Sequence, residues 1–443
     1  MIDIKDKVLL LIAYLVFGFI IAIINIYKIK KDKKLSTIIL VNAYYLIIFV
    51  ITPICVLLKN GEIPYYIYTN KQKYYYLVLV NAVIGYAFLN IGYNIKIENE
   101  GNNTRTKNLI LSGYIILSIG WIALFLWTKA YGSLTGIFRY ASLIRSGYVI
   151  IYNKYTFVKP FCPMLIFAFV IFYSKLLELK AYNANKKILI VVGLLISAIG
   201  SYIYIIANDG RMFILIVLLT IIIPYIEKKS KKMDFKKIII YFFIGIMIMI
   251  ILGQLDNITY YLRNKQKRQK KVDNDVITIV ANELGYTYSN NININYFRDE
   301  EIVENYTIFK DIKNIVLAWI PQSLKPEDAI NLFDYNTSFY KDATGQLPTD
   351  LITASIYKFG NVGVVILPLF VGIVFKILEK KLFQKRNEST YYLTVGYLTI
   401  MYLGLRFMAY YDLSQILFGS FYIIISMIIV KIISKIQISK IIK

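Results

Sequence analysis

The chain has 443 residues, is 58% hydrophobic with a mean hydropathy of +0.56, and carries only 18% charged residues. That is too little charge to cover the surface of a water-soluble protein of this size, so a soluble enzyme is excluded. The formal charge of +24, from 51 Lys and Arg against 27 Asp and Glu, would point to nucleic acid in a soluble chain. Here the excess falls in short connections between apolar runs, and no nucleic-acid partner is expected.

Apolar runs of about 20 residues predict helices that cross a bilayer, because backbone polar groups in lipid must be satisfied within each segment. Eleven spans are expected, at 8–27, 37–58, 74–93, 109–130, 158–176, 188–207, 212–226, 238–255, 361–378, 391–411 and 416–434. The first has no small-residue cleavage site after it and is too long for a signal-peptide core, so it is expected to stay. The seventh is the shortest, roughly 22 Å at 1.5 Å per residue. The fold class is therefore an all-α integral membrane protein: helices 1–8 in residues 1–255, a large, partly helical loop at 256–350, and helices 9–11 with a tail in 351–443.

Alternate connections (28–36, 94–108, 175–187, 227–237, 376–390 and the tail from 431) hold 27 Lys and Arg, and the opposite set of short connections holds 10. The positive-inside rule then puts the C-terminus in the cytoplasm and the N-terminus outside. By parity the 95-residue connection from Asp256 to Asp350 is external. Its aromatic residues, such as Phe297, Phe333 and Trp319, and apolar turns such as Ile315–Ile320 argue for a cap resting on the membrane surface.

Zero histidine removes imidazole bases and most zinc sites. Cys55 and Cys162 lie in apolar runs and read as small buried hydrophobes. Chemistry then falls to carboxylates, Arg, Lys and Tyr. A guanidinium at membrane depth costs on the order of 2.5 to 3.5 kcal/mol and calls for an anionic partner. Arg406 sits some 15 residues into the tenth span, near its outer end. Either it faces a cavity there or it pairs with Asp412. Arg211 follows Asn208-Asp209-Gly210 at the outer turn before the seventh span. It serves the same cavity, pairs with Asp209, or snorkels to the interface. Arg139 and Arg145 are six residues apart, so on a helix only one would enter a shared site. The basic run Arg263–Lys271 is a holder of anionic heads or a solvated linker. Converging Arg forks suit phosphate, and the carboxylates on that side are Asp209, Glu283, Asp350 and Asp412.

Several stretches carry a resemblance. They are Tyr131-Gly132 with Ile144-Arg145-Ser146-Gly147, Asp209-Gly210-Arg211 opening a span, and Trp319-Ile320-Pro321 with Leu324-Lys325-Pro326. Gly345-Gln346-Leu347-Pro348-Thr349 then leads to Tyr357-Lys358-Phe359-Gly360-Asn361-Val362-Gly363. With many spans and one large late loop, residues 130 to 415 resemble the Wzy-type oligosaccharide repeat-unit polymerases of O-antigen and capsule assembly. Where that family has Gly-Ser-Arg, this chain has Asp209-Gly210-Arg211.

The resemblance implies a GT-C glycosyltransferase in the bacterial cytoplasmic membrane, needing no metal and no cofactor. It would move a glycan from undecaprenyl pyrophosphate onto another lipid-linked repeat unit. Its neighbours would be membrane lipids, a flippase and a chain-length regulator. Arg211, Arg406 and Arg145 would stabilise the leaving pyrophosphate, and Arg139, Arg263, Asp209 and Lys325 would bind substrate. Two other readings stand beside it. A lipid-linked oligosaccharide flippase would show short loops and internal repeats. Another lipid-phosphate glycosyltransferase would show acidic residues in its first outer loop, which here has only Glu62. The related ligases are expected to use a histidine.

Overall fold

The computed structural model describes residues 3–32, 35–60, 65–97, 107–134, 136–137, 153–205, 207, 210–229, 275–304, 306–320, 324–326, 329–340, 346–383, 385 and 389–436, with backbone alone at 32, 156 and 210–212. In chain order the α-helices are α1 (Ile4–Asp32), α2 (Thr37–Leu46), α3 (Thr52–Leu58), α4 (Gln72–Asn94), α5 (Leu109–Thr128), α6 (Met164–Leu176), α7 (Ala184–Tyr204) and α8 (Gly210–Lys229). They continue with α9 (Val276–Asp299), α10 (Ile308–Leu317), α11 (Leu332–Thr337), α12 (Leu351–Phe359), α13 (Gly363–Leu378), α14 (Thr390–Ala409) and α15 (Leu413–Lys435). Among the described residues there is no strand, and nine helices are long and apolar enough to cross a membrane.

These nine coincide with expected spans one to six and nine to eleven. The seventh falls on α8, a 20-residue helix rather than the 15 residues expected, which is not among the nine. The eighth, 238–255, lies outside the described residues. The second span is α2 and α3 joined by a π-turn at Ile47–Ile51. Pro53 explains the join, since its ring cannot donate a hydrogen bond and crowds the carbonyl of Phe49 four residues back.

Burial ranks the helices. Windows in Thr390–Ala409 and Phe157–Leu176 are 89% and 78% buried, against 22% in Ile4–Lys31 and 33% in Ala184–Tyr204. So α14 and α6 form the centre, while α1 and α7 present apolar faces outward. Small residues allow the tightest seam, between α4 and α13: a Cβ on Gly92 would stand 2.0 Å from the Leu369 carbonyl oxygen, and one on Gly372 2.1 Å from that of Leu89. Close backbone approach through glycine is how membrane helices gain packing without a hydrophobic driving force.

The connections segregate to two ends. At one, the Asp6 carboxylate accepts from the Tyr76 hydroxyl, Lys71 and Lys73 pair with Glu300 and Asp299, and Asp412 accepts from the amide of Leu332. At the other, Glu178 accepts from the amide of Thr390, and Asn108 donates to the carbonyls of Ile433 and Ile436. The first set contains the connections expected outside and the second those expected in the cytoplasm. The first is called the loop end below.

Within the loop expected to cap the membrane surface, the first described helix is more deeply packed than a surface cap requires. Helix α9 packs into the bundle against α3, α4 and α12, and 15 of its 24 residues are buried. Its buried asparagines explain how a polar helix tolerates this, because the side-chain amide of each donates to a partner. Asn291 donates to Asp350, Asn290 to the Pro348 carbonyl, and Asn293 to the Tyr66 carbonyl. Residues 346–350 thread beside it to α12, whose N-cap is the buried Asp350. The chain then turns sharply at 360–362. Gly360 has φ +64°, and a Cβ on Gly363 would lie 1.9 Å from the carbonyl oxygen of Ser355, eight residues back. In a straight helix residues eight apart are separated by about 12 Å.

Candidate functional site

At the loop end five elements converge: the 3₁₀ segment Thr156–Phe161 that leads into α6, the end of α7, the start of α8, the end of α14 and the first turns of α15. Between them is a cavity of about 130 Å³. Its polar lining comes from Arg406, Lys159, Gln415 and the hydroxyl-bearing Tyr204, Tyr402 and Tyr422. Two cations, Arg406 and Lys159, are among its described lining residues.

Aromatic rings fix the cations. The Arg406 guanidinium carbon lies 5.4 Å from the Tyr402 ring centre and 5.9 Å from that of Tyr410, and the Lys159 ammonium is 5.8 Å from the Trp127 ring. Tyr402 is in turn braced edge-on by Phe213 and Tyr422, at 5.5 and 6.0 Å. Trp319 of the loop closes the outside of this corner, 4.4 Å from the Phe421 ring and 5.1 Å from that of Phe418. Ring faces attract such cations through the quadrupole of the aromatic system and so restrict where their donors point.

The expected site residues sort as follows. Arg406 lines the cavity. Arg211 stands in the first turn of α8, two residues before the cavity residue Phe213, so its backbone is at the same corner. Arg139, Arg145, Asp209 and Arg263 lie outside the described residues. Lys325 is elsewhere on the loop, near enough to Asp334 to pull that carboxyl down against the burial that raises it. Asp412 is the N-cap of α15, accepting from the amides of Gln415 and Leu332 and from the Ser414 hydroxyl. Cys55 and Cys162 are buried free thiols.

Lys159, Gln415 and Tyr402 were not anticipated. Lys159 is one cation among many, and only the fold brings it beside Arg406. A second polar centre was also missed. Lys358 of α12 and Asp311 of α10 form an ion pair with both side chains 1% exposed, and the Lys358 ammonium lies 4.7 Å from the Tyr411 ring. Among the described residues no group of three or more Cys, Asp or Glu converges as a metal site would require.

The chain matches no protein-family model, no curated protein and no solved structure.

Proposed function

We propose that this is a membrane glycosyltransferase that polymerises lipid-linked oligosaccharide repeat units on the outer face of a bacterial cytoplasmic membrane. The observation that carries the reading is the cavity at the loop end, which Arg406 and Lys159 line together with three tyrosines. Such a cavity suits the pyrophosphate of a polyprenyl donor. As the glycosidic C–O bond breaks, negative charge builds on the departing phosphate, and fixed guanidinium and ammonium groups stabilise that charge without reorganising. Arg211, whose backbone is at the same corner, is the next residue assigned to the phosphate in this reading. The sequence resemblance supplies the donor class, and the pairing of the cavity with a large folded loop favours transfer over simple passage. Purified protein in vesicles, given lipid-linked repeat units, should yield a ladder of longer lipid-linked glycans. Movement of single units across the bilayer with no ladder would support the flippase reading instead.

A further inference from the structure

Helix α10 is built inside out. The residues it buries are polar: Asp311 is paired with Lys358, and Asn314 donates to the Ile330 carbonyl and the Tyr306 hydroxyl. The residues it exposes are apolar, with Ile308 42%, Phe309 77%, Ile312 52% and Val316 63% exposed. At 100° per residue these four and the half-buried Ile315 fill an arc of about 120°, with Lys313 and then Lys310 following on one flank. In water such a face would lose about 25 cal/mol for every Å² left wetted. It is the pattern of a helix lying in a membrane interface, apolar side down, with Lys313 on its flank and the Lys310 ammonium over the Tyr306 and Tyr335 rings.

Its place in the fold says what covers that face. Helix α10 packs on α15, and just beyond it Trp319, 41% exposed, sits on Phe418 and Phe421 of α15. Down α15 the outward row is Leu417, Ile424, Ile428 and Ile432, each at least 40% exposed. That row is the exposed apolar stripe of a helix long and apolar enough to cross a membrane, and the apolar face of α10 lies on the helix that carries it.

We propose that α10 is an in-plane membrane helix, whose Ile308, Phe309, Ile312 and Val316 enter the leaflet at the loop end while Lys310 and Lys313 lie in its phosphate layer. The inference does not depend on the reaction proposed above. It seats the cationic cavity, one helix away, at the depth where a lipid phosphate sits.

The test uses the full chain carrying Cys55→Ala and Cys162→Ala, with single cysteines at Phe309→Cys, Ile312→Cys and Val316→Cys and a control at the exposed Glu304→Cys. Each is labelled with an environment-sensitive fluorophore and reconstituted in phosphatidylcholine–phosphatidylglycerol vesicles containing a lipid with a nitroxide high on its acyl chain. Positions 309, 312 and 316 should give blue-shifted emission quenched by that lipid, and position 304 aqueous, unquenched emission. Aqueous emission at all four positions would overturn the proposal. So would emission at 309, 312 and 316 that turns apolar only when a second protein is added, which would assign the face to a protein partner.

Discussion

Lys358 and Asp311 form an ion pair sealed from solvent between the short helix α12 and the loop helix α10. Burial, the largest influence, pushes the Asp311 carboxyl up, and the Lys358 ammonium opposes it. Removing one member leaves a desolvated charge, at a cost of about 3–5 kcal/mol, whereas replacing both with apolar groups of similar volume is close to neutral. Lys358→Met and Asp311→Leu should each lower the thermal unfolding temperature of the purified protein sharply, and the double variant should recover most of the loss. Additive losses in the double variant would show that the two charges are stabilised separately.

The glycine seam between α4 and α13 predicts a backbone clash rather than a loss of contact. A methyl at Gly92 or Gly372 meets a carbonyl oxygen at about half the normal contact distance, and neither helix can yield by rotating a side chain. Gly372→Ala should cost about 1–3 kcal/mol or more and reduce the folded yield in membranes. Gly132→Ala is the matched control for yield, since nothing stands within 4 Å of a Cβ there, although its φ of +81° carries a local strain of its own. Equal, normal yields for both would contradict the seam.

Asp350 gives the chain a pH dependence. Burial raises its carboxyl to about 6, against hydrogen bonds from Thr353, Asn291 and the Ile352 amide that lower it. The fold therefore favours the protonated acid. That stabilisation is complete below the free value of 3.8 and disappears as the pH rises through about 6, a difference of roughly 3 kcal/mol. Asp350→Asn keeps the N-cap of α12 and removes the proton. Denaturation measured from pH 4 to 7.5 should show the wild-type chain losing stability relative to the variant as the pH rises. Parallel curves would contradict this.

The spans were legible because each is an apolar run of the length a bilayer needs, and α14 was marked by one guanidinium, Arg406, near its end. Helix α9 was not legible in the same way. Its polar residues fall on all sides, so neither hydropathy nor a 3.6-residue period separates a buried face, and its burial depends on partners such as Asp350 and Tyr66 that are distant in sequence. The cavity was half legible for the same reason. A membrane-embedded Arg advertises its own cost, whereas Lys159 sits at a span boundary where lysine is ordinary, and the tyrosines are lost among 40 in the chain. The turn at Gly360 was also hidden, because in the sequence only the start of the ninth expected span falls there, at 361.

Arg406 is the group proposed to stabilise a departing phosphate, and the most direct measurement is polymer formation by variants reconstituted with lipid-linked repeat units. Arg406→Ala, at unchanged protein level, should lower the rate about a hundredfold, equivalent to roughly 3 kcal/mol for one charge-assisted contact to a developing anion. Arg406→Lys should recover part of it, since an ammonium keeps the charge and loses the fork. A normal ladder from Arg406→Ala at normal abundance would contradict the central claim.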